Sequence, residues 1–189
     1  MSLDTIVVVG ASLAGLRAVE TLRGEGYDGR LVLIGAEAHL PYDRPPLSKE
    51  LLRGEWGEER LALRRRDYAE LELDLRLGRR ATALDAKARQ VALDDGTQVG
   101  WDGLLIATGA APRPLPGAKP LEGVHLLRTL DDALALRADL EATPGRVVVV
   151  GAGFIGAEVA ASCRQRGLEG TLVEPLPAPM ERGLGLLEA

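Results

Sequence analysis

Gly151-Ala-Gly-Phe-Ile-Gly156 follows a run of valines, Val147 to Val150, and opens a stretch with helical character. Gly10-Ala-Ser-Leu-Ala-Gly15 has the same shape, after Ile6-Val-Val-Val9. Glycines at this spacing between a strand and a helix suit a dinucleotide pyrophosphate. The first allows the tight turn, the second lets the backbone approach phosphate, and the third lets helix and strand pack closely. The helix N-terminus then offers unpaired N–H groups and the positive end of its dipole. One such turn suggests one dinucleotide; two, about 140 residues apart, suggest two held face to face with electron transfer between them. The first turn has Ser12 in the second slot, so by itself it also reads as a strand–helix turn without a ligand. The second has all three glycines.

Each turn should have an acid about 20 residues on, at the end of the next strand, to bond a ribose. Glu37 and Glu174 stand there. Glu174 can accept from both ribose hydroxyls and would repel a 2′-phosphate, which favours NAD over NADP. Glu37 has the alternative of a solvated loop carboxylate. Between the turns lies His39-Leu-Pro-Tyr-Asp-Arg-Pro-Pro-Leu-Ser-Lys49, a loop stiffened by Pro41, Pro45 and Pro46 that holds Arg44 and Lys49 as fixed positive charges, unless both are simply solvated. Arg64-Arg65-Arg66 reads either as a solvated face or as a small docking patch for an acidic partner.

These residues need elements to place them. Residues 5–9, 31–34, 101–107 and 146–150 are continuous apolar runs of the kind buried on both faces in a parallel sheet. Helical spacing covers 13–22 and 157–166, and Thr129 or Asp131 can cap a helix to about Ala142. Ser48 reads as the N-cap of a short helix ending near Gly54, and 67–71 as another short helix. Runs at 73–77, 81–84 and 90–93, with the Asp94-Asp95-Gly96 turn, suggest a small β-meander. Ala107-Thr108-Gly109 ends a strand with small residues that permit close approach to a ligand. Residues 110–123, with Pro112, Pro114, Pro116 and Pro120, form an extended linker, and 124–127 a short strand with His125 packed in it.

Composition narrows the classes. Apolar residues make up 46% of the 189, charged residues 27%, and the net charge is −5, which disfavours a nucleic-acid binder. No apolar run reaches the length of a membrane span, and no basic stretch precedes the first strand as in a signal peptide. The lone Cys163, read as a packed apolar residue, excludes a disulfide framework and Cys-x-x-Cys chemistry within the chain; a cytoplasmic location is the default. Two histidines, His39 and His125, do not suggest a metal site.

The two glycine turns, Pro41-Tyr-Asp-Arg-Pro-Pro-Leu-Ser-Lys49, Ala107-Thr-Gly109, Leu127-Arg-Thr-Leu-Asp-Asp-Ala133 and Gly151-Ala-Gly-Phe-Ile-Gly-Ala-Glu158 together resemble the FAD- and NADH-dependent ferredoxin reductases of Rieske-type dioxygenase and bacterial cytochrome P450 systems. The resemblance implies an α/β fold with two Rossmann-like units, as in glutathione reductase. It divides the chain into an FAD-binding part, 1–115, and an NAD-binding part, 116–189. It places Gly10, Ser12, Leu13, Ala14 and Gly15 on the FAD pyrophosphate, Glu37 on the adenosine ribose and the backbone of Ala81 at the adenine. Arg44, Pro46, Ala107, Thr108, Gly109 and Arg128 would lie along FAD, and Lys49, the implied catalytic residue, near the flavin N5 side. Gly151, Gly153, Phe154, Ile155, Gly156, Glu158 and Glu174 would bind NADH. The family often has an acid at position 36, so Ala36 leaves the ribose contact to Glu37. Electrons would pass from NADH through FAD to a [2Fe–2S] ferredoxin, with an oxygenase or P450 downstream. Pro45-Pro46-Leu47-Ser48 stands where related disulfide reductases carry a cysteine, which disfavours a thiol route.

Members of this family are longer. Both units are therefore expected to be incomplete, with a C-terminal domain absent, and the isolated chain is expected to turn over poorly. Alternatives are a nucleotide-binding fragment without turnover, oligomeric through its uncovered surfaces, or the same fold serving rubredoxin, a nitrite reductase centre or a quinone.

Overall fold

The computed structural model describes residues 3–117, 121–142 and 145–184; Pro120 of the expected linker and residues 185–189 of the tail lie outside them. The chain forms two compact units. One comprises Met1–Asp43 and Leu61–Ala110, the other Arg44–Arg60 and Ala111–Ala189. The proline-rich loop from Arg44 onward thus groups with the later part of the chain, which no division in chain order would produce.

The first unit is built on a four-stranded parallel sheet in the order β3-β2-β1-β7, with β1 Thr5–Val9, β2 Arg30–Ile34, β3 Leu73–Arg76 and β7 Gly103–Ile106. Helix α1, Leu13–Gly24, crosses from β1 to β2. Ile6, Val8, Leu31 and Leu33 face α1 through Leu16 and Val19; Val7, Val9, Val32 and Ile34 face the other way. That second face is covered by an antiparallel meander of β4 Ala81–Asp85, β5 Gln90–Leu93 and β6 Gln98–Gly100, through Val91, Leu93 and Val99. The central strands are therefore buried on both sides, as their unbroken apolar runs require.

The second unit pairs β8 Arg146–Val150 with β9 Glu169–Val173 in parallel, joined by α4, Phe154–Gln165. Val159 and Cys163 of α4 pack with Leu52, Leu136, Leu140, Val147 and Val149. Leu52 belongs to α2, Glu50–Arg53, and Leu136 and Leu140 to α3, Leu130–Ala142. A short α5 spans Glu181–Leu184.

Five local expectations change. Residues 73–76 join the parallel sheet rather than the meander. As its edge strand, β3 packs Leu73 and Leu75 on the core while Asp74 pairs with Arg30 at 2.5 Å, so an alternating pattern suffices. Residues 124–127 form no strand, because no neighbour supplies a ladder; Val124 and Leu126 are exposed, and His125 Nε2 lies 2.6 Å from Asp139 Oδ2. Helix α4 begins at Phe154 rather than Ala157, since Gly153 is its extended N-cap residue. Ser48 caps no helix: Pro45–Ser48 is a 3-10 turn, α2 follows from Lys49, and the Ser48 hydroxyl points elsewhere. The 67–71 helix is a 3-10 turn, Tyr68–Leu71, capped by Asp67 accepting from the Ala69 N–H.

Candidate functional site

Three arrangements carry the chemistry-bearing residues. The first is the turn between β1 and α1. Gly10 sits at φ +120°, and a Cβ on it would lie 2.1 Å from the Ala107 carbonyl oxygen. Strand β7 therefore ends against the turn, with the Ala107 N–H donating to the Val9 carbonyl at 2.7 Å. Exposed Thr108 and Gly109 follow. A Cβ on Gly15 would come within 1.9 Å of the Gly10 carbonyl oxygen, so helix and turn meet backbone to backbone. Ser12 is the extended N-cap residue of α1, and no acidic side chain occupies its first turn. The N–H groups of Leu13, Ala14 and Gly15 head the helix, where amides have no partner four residues back. Beyond β2, Glu37 is half-buried. Its carboxylate accepts from the Tyr42 hydroxyl at 2.5 Å, and its backbone carbonyl accepts from the Gly78 N–H at 2.8 Å. Ala81 begins β4 and packs against the core.

The turn between β8 and α4 repeats this geometry. The Gly151 N–H donates to the Val173 carbonyl at 2.8 Å, and a Cβ on Gly156 would lie 1.9 Å from the Gly151 carbonyl oxygen. Gly153 differs: a Cβ there meets no described atom within 4 Å. Packing does not require its glycine, so the space beside it is open to a ligand. Glu174, at the end of β9, accepts from the Ala152 N–H at 2.6 Å through one oxygen and from the Leu176 N–H at 3.1 Å through the other.

The third is a cleft of about 370 Å³ in the second unit, lined among others by Arg44, Lys49, Arg128, Phe154, Ile155 and Glu158. Six residues singled out from three separate stretches thus share one wall. Lys49 Nζ lies 3.1 Å from one Glu158 oxygen, and the Ser48 hydroxyl donates to the other at 2.5 Å. That hydrogen bond, with the Lys49 ammonium beside it, outweighs partial burial and holds the Glu158 carboxyl below the usual glutamate range. The Ser48 carbonyl in turn accepts from the Ser162 hydroxyl on α4 at 2.7 Å, with both residues buried. Arg166, the residue just past α4, donates to the Leu52 carbonyl at 2.6 Å, and Arg44 to the Arg128 carbonyl at 2.7 Å. Pro46 is buried in the 3-10 turn. The cleft has three cations against one carboxylate and partly exposed Phe154 and Ile155, so it offers an apolar wall with a positive rim.

Sequence spacing did not reveal Tyr42, Ser48 or Ser162 in these roles, because their partners are fixed by tertiary contact. Arg64, by contrast, belongs to neither a solvated face nor a docking patch. Its side chain is only 9% exposed and pairs with Glu20 and Glu70, leaving Arg65 and Arg66 outside. No group of metal-ligating side chains occurs among the described residues, and none of their helices is long and apolar enough to cross a membrane.

The sequence profile of a family described as pyridine nucleotide-disulphide oxidoreductase matches residues 4–186. The ferredoxin–NAD(+) reductase component of the p-cumate 2,3-dioxygenase system of Pseudomonas putida is 44% identical over 183 residues, 96% of this chain and 45% of the relative. Rhodocoxin reductase of Rhodococcus erythropolis is 43% identical over 95% of this chain and 42% of its own. The crystal structure of a covalent putidaredoxin reductase–putidaredoxin complex superposes with a TM-score of 0.89 at 38% identity, covering 95% of this chain and 44% of that one. The chain spans less than half the length of these relatives.

Proposed function

The chain belongs to the pyridine nucleotide-disulphide oxidoreductase family, and from that premise we propose that it carries the FAD- and NADH-binding turns of a reductase that delivers electrons to a [2Fe–2S] ferredoxin. The observation that carries this is the pairing of two glycine turns with one cation-rimmed cleft beside the second. The named functions of the relatives support the acceptor: reductase components of dioxygenase systems, and a reductase captured with putidaredoxin.

The residues fit the two cofactors. Both turns have backbone where a Cβ would collide with backbone, at Gly10, Gly15 and Gly156, and open space at Gly153. When bound, FAD supplies hydride acceptance and single-electron release, which no side chain of this chain offers. The amides of residues 10–15 hold its pyrophosphate, Glu37 its ribose and the Ala81 backbone its adenine. Ala107, Thr108 and Gly109 line it with backbone. Residues 151–156 take the NADH pyrophosphate, and Glu174 the ribose; the FAD turn falls in the part expected at 1–115 and the NADH turn in the part expected at 116–189.

Lys49 lines the cleft with Arg44 and Arg128, and its Nζ lies 3.1 Å from Glu158, whose carboxyl is held low by the Ser48 hydroxyl and the Lys49 ammonium. Such a field favours negative charge arriving in the cleft. Phe154 and Ile155 add apolar surface to its lining. Cys163 lies on the buried side of α4, with its thiol pushed up by burial, and takes no part.

The test uses the second slot of each turn, which is compatible with valine in backbone angle: φ −126° at Ser12 and −77° at Gly153. FAD and NADH are titrated calorimetrically onto the wild-type chain, Ser12→Val and Gly153→Val. Ser12→Val should weaken FAD alone and Gly153→Val NADH alone. Binding of both nucleotides that ignores both substitutions refutes the assignment, and so does a chain that binds neither. A ferredoxin and a rubredoxin offered as acceptors to the FAD-loaded chain then separate the two acceptor classes.

A further inference from the structure

Glu37 must present its carboxylate alone, because the preceding residue is Ala36. A glutamate is rotamer-rich, and ordering such a side chain at the moment of binding weakens affinity. In this chain the ordering is already done. The Tyr42 hydroxyl donates to Glu37 Oε2 at 2.5 Å, the short end of the range for a bond from a hydroxyl to a carboxylate.

Tyr42 is itself held from several sides. It is 7% exposed, and the preceding Pro41 is fully buried. It forms an antiparallel bridge with Ala62, flanked by the Asp43 N–H donating to the Leu61 carbonyl at 2.7 Å and the Leu63 N–H donating to the Pro41 carbonyl at 3.3 Å. The His39 ring meets its ring edge-on, with centroids 6.3 Å apart at 87°. The Glu37 backbone is anchored by Gly78. The phenol therefore reaches the carboxylate from one rigid point to another.

We propose that Tyr42 is a positioning residue that orients the Glu37 carboxylate for the hydroxyls of an adenosine ribose. The proposal rests on the assignment of the first glycine turn to an adenine dinucleotide. A carboxylate has about four acceptor sites, and the phenol takes one of them while fixing the direction of the group. Selection for a ribose with its hydroxyls thus depends on a side chain that touches no nucleotide.

The test is the discrimination between ADP and 2′,3′-dideoxy-ADP, read in ¹H–¹⁵N spectra of the full chain. Only the amides of Ala11, Ala14 and Gly15 are followed, so that binding at the second turn does not enter. Wild type should prefer ADP, and Tyr42→Phe should lose about tenfold in ADP affinity while its dideoxy-ADP affinity stays within about twofold. On a Glu37→Ala background, Tyr42→Phe should cause no further loss. A Tyr42→Phe chain that discriminates like wild type, or that weakens both nucleotides equally, overturns the proposal while leaving the first-turn assignment standing. A wild-type chain whose amides respond to neither nucleotide refutes that assignment, and the proposal with it.

Discussion

Gly153 and Gly156 stand three residues apart in one turn, and the structure separates their reasons for being glycine. A Cβ at Gly156 would lie 1.9 Å from the Gly151 carbonyl oxygen and 3.1 Å from its carbon, both backbone atoms that no rotamer change can move. Gly156→Ala must therefore push α4 off the turn. Overpacking of this kind costs about 1–3 kcal/mol and sometimes more. A Cβ at Gly153 meets nothing described within 4 Å, and φ −77° suits alanine. Gly153→Ala reduces the freedom of the unfolded chain, worth about 0.4–1 kcal/mol, and loses N-cap preference of similar size. Its stability should stay within about 1 kcal/mol of wild type. The added methyl group occupies the space beside the N-terminus of α4, where a phosphate would accept from the amides. Losing one such charge-assisted bond, about 1.5–3 kcal/mol, should weaken NADH roughly ten- to a hundredfold. Urea unfolding and NADH calorimetry on both variants give the comparison. If Gly153→Ala binds NADH as wild type does, the turn does not hold the pyrophosphate. If it destabilises as much as Gly156→Ala, the open space beside Gly153 is not there.

Three further outcomes follow from the second unit. Ser48→Ala removes the largest influence holding the Glu158 carboxyl low, so ¹³C titration should find that carboxyl nearer the ordinary glutamate value of about 4.3. A group depressed in the folded state contributes stability above its unfolded value and loses it as pH falls through the folded one. The wild-type advantage over Ser48→Ala should therefore shrink below about pH 4, and an unmoved Glu158 titration would count against the hydrogen bond. The Thr129 hydroxyl accepts from the Asp132 N–H at 3.1 Å while the Asp132 carboxylate accepts from the Arg128 and Thr129 N–H groups at 3.0 and 2.8 Å. Thr129→Ala should cost about 1 kcal/mol in urea unfolding and Thr129→Ser much less; equal losses would reject the reciprocal cap. Cys163 should alkylate slowly at pH 8 in the native chain and rapidly in urea, because burial both covers the thiol and pushes its ionisation up. Native labelling at the rate of a small-molecule thiol would contradict this.

What could be read from sequence depended on how local the cause was. Residues 5–9 and 31–34 announced strands because a parallel strand between two covered faces needs apolar residues at every position; 146–150 has the same apolar run, yet Val148 and Val150 are exposed, so one face of that strand is uncovered and the expected burial on both faces does not hold there. The glycine turns were legible because a collision with backbone leaves no other residue type at Gly10 or Gly156. Residues 73–76 were placed in the wrong sheet because an edge strand with one covered face alternates just as a meander strand does. Val124 to Leu127 had strand composition but no ladder partner, and composition cannot supply one. Ser48 looked like a cap by its position before a helix. Its hydroxyl instead bonds Glu158, far along the chain, and spacing does not encode a contact of that range.

The same contrast distinguishes the two carboxylates at the ends of the second strands. Glu174 is oriented by amides of its own unit: Ala152 lies inside the glycine turn and Leu176 just beyond the strand. Any sequence that keeps the turn keeps those donors, so side-chain substitutions nearby should leave its direction intact. Glu37 takes its direction from the Tyr42 side chain, and Glu158 from the side chains of Ser48 and Lys49. All three helpers lie in one short stretch, Tyr42 to Lys49, in which Pro45 and Pro46 stiffen the backbone before Ser48 and Lys49. Tyr42 falls in the first compact unit and Lys49 in the second. One proline-braced segment thus serves a carboxylate in each unit, and its rigidity matters because a hydroxyl that can wander orients nothing. Gly substituted for Pro45, which is exposed and opens the 3-10 turn carrying Ser48, should loosen the partners of Glu158 without opening a buried cavity, while Glu37 keeps its direction because Tyr42 is held by the Ala62 bridge.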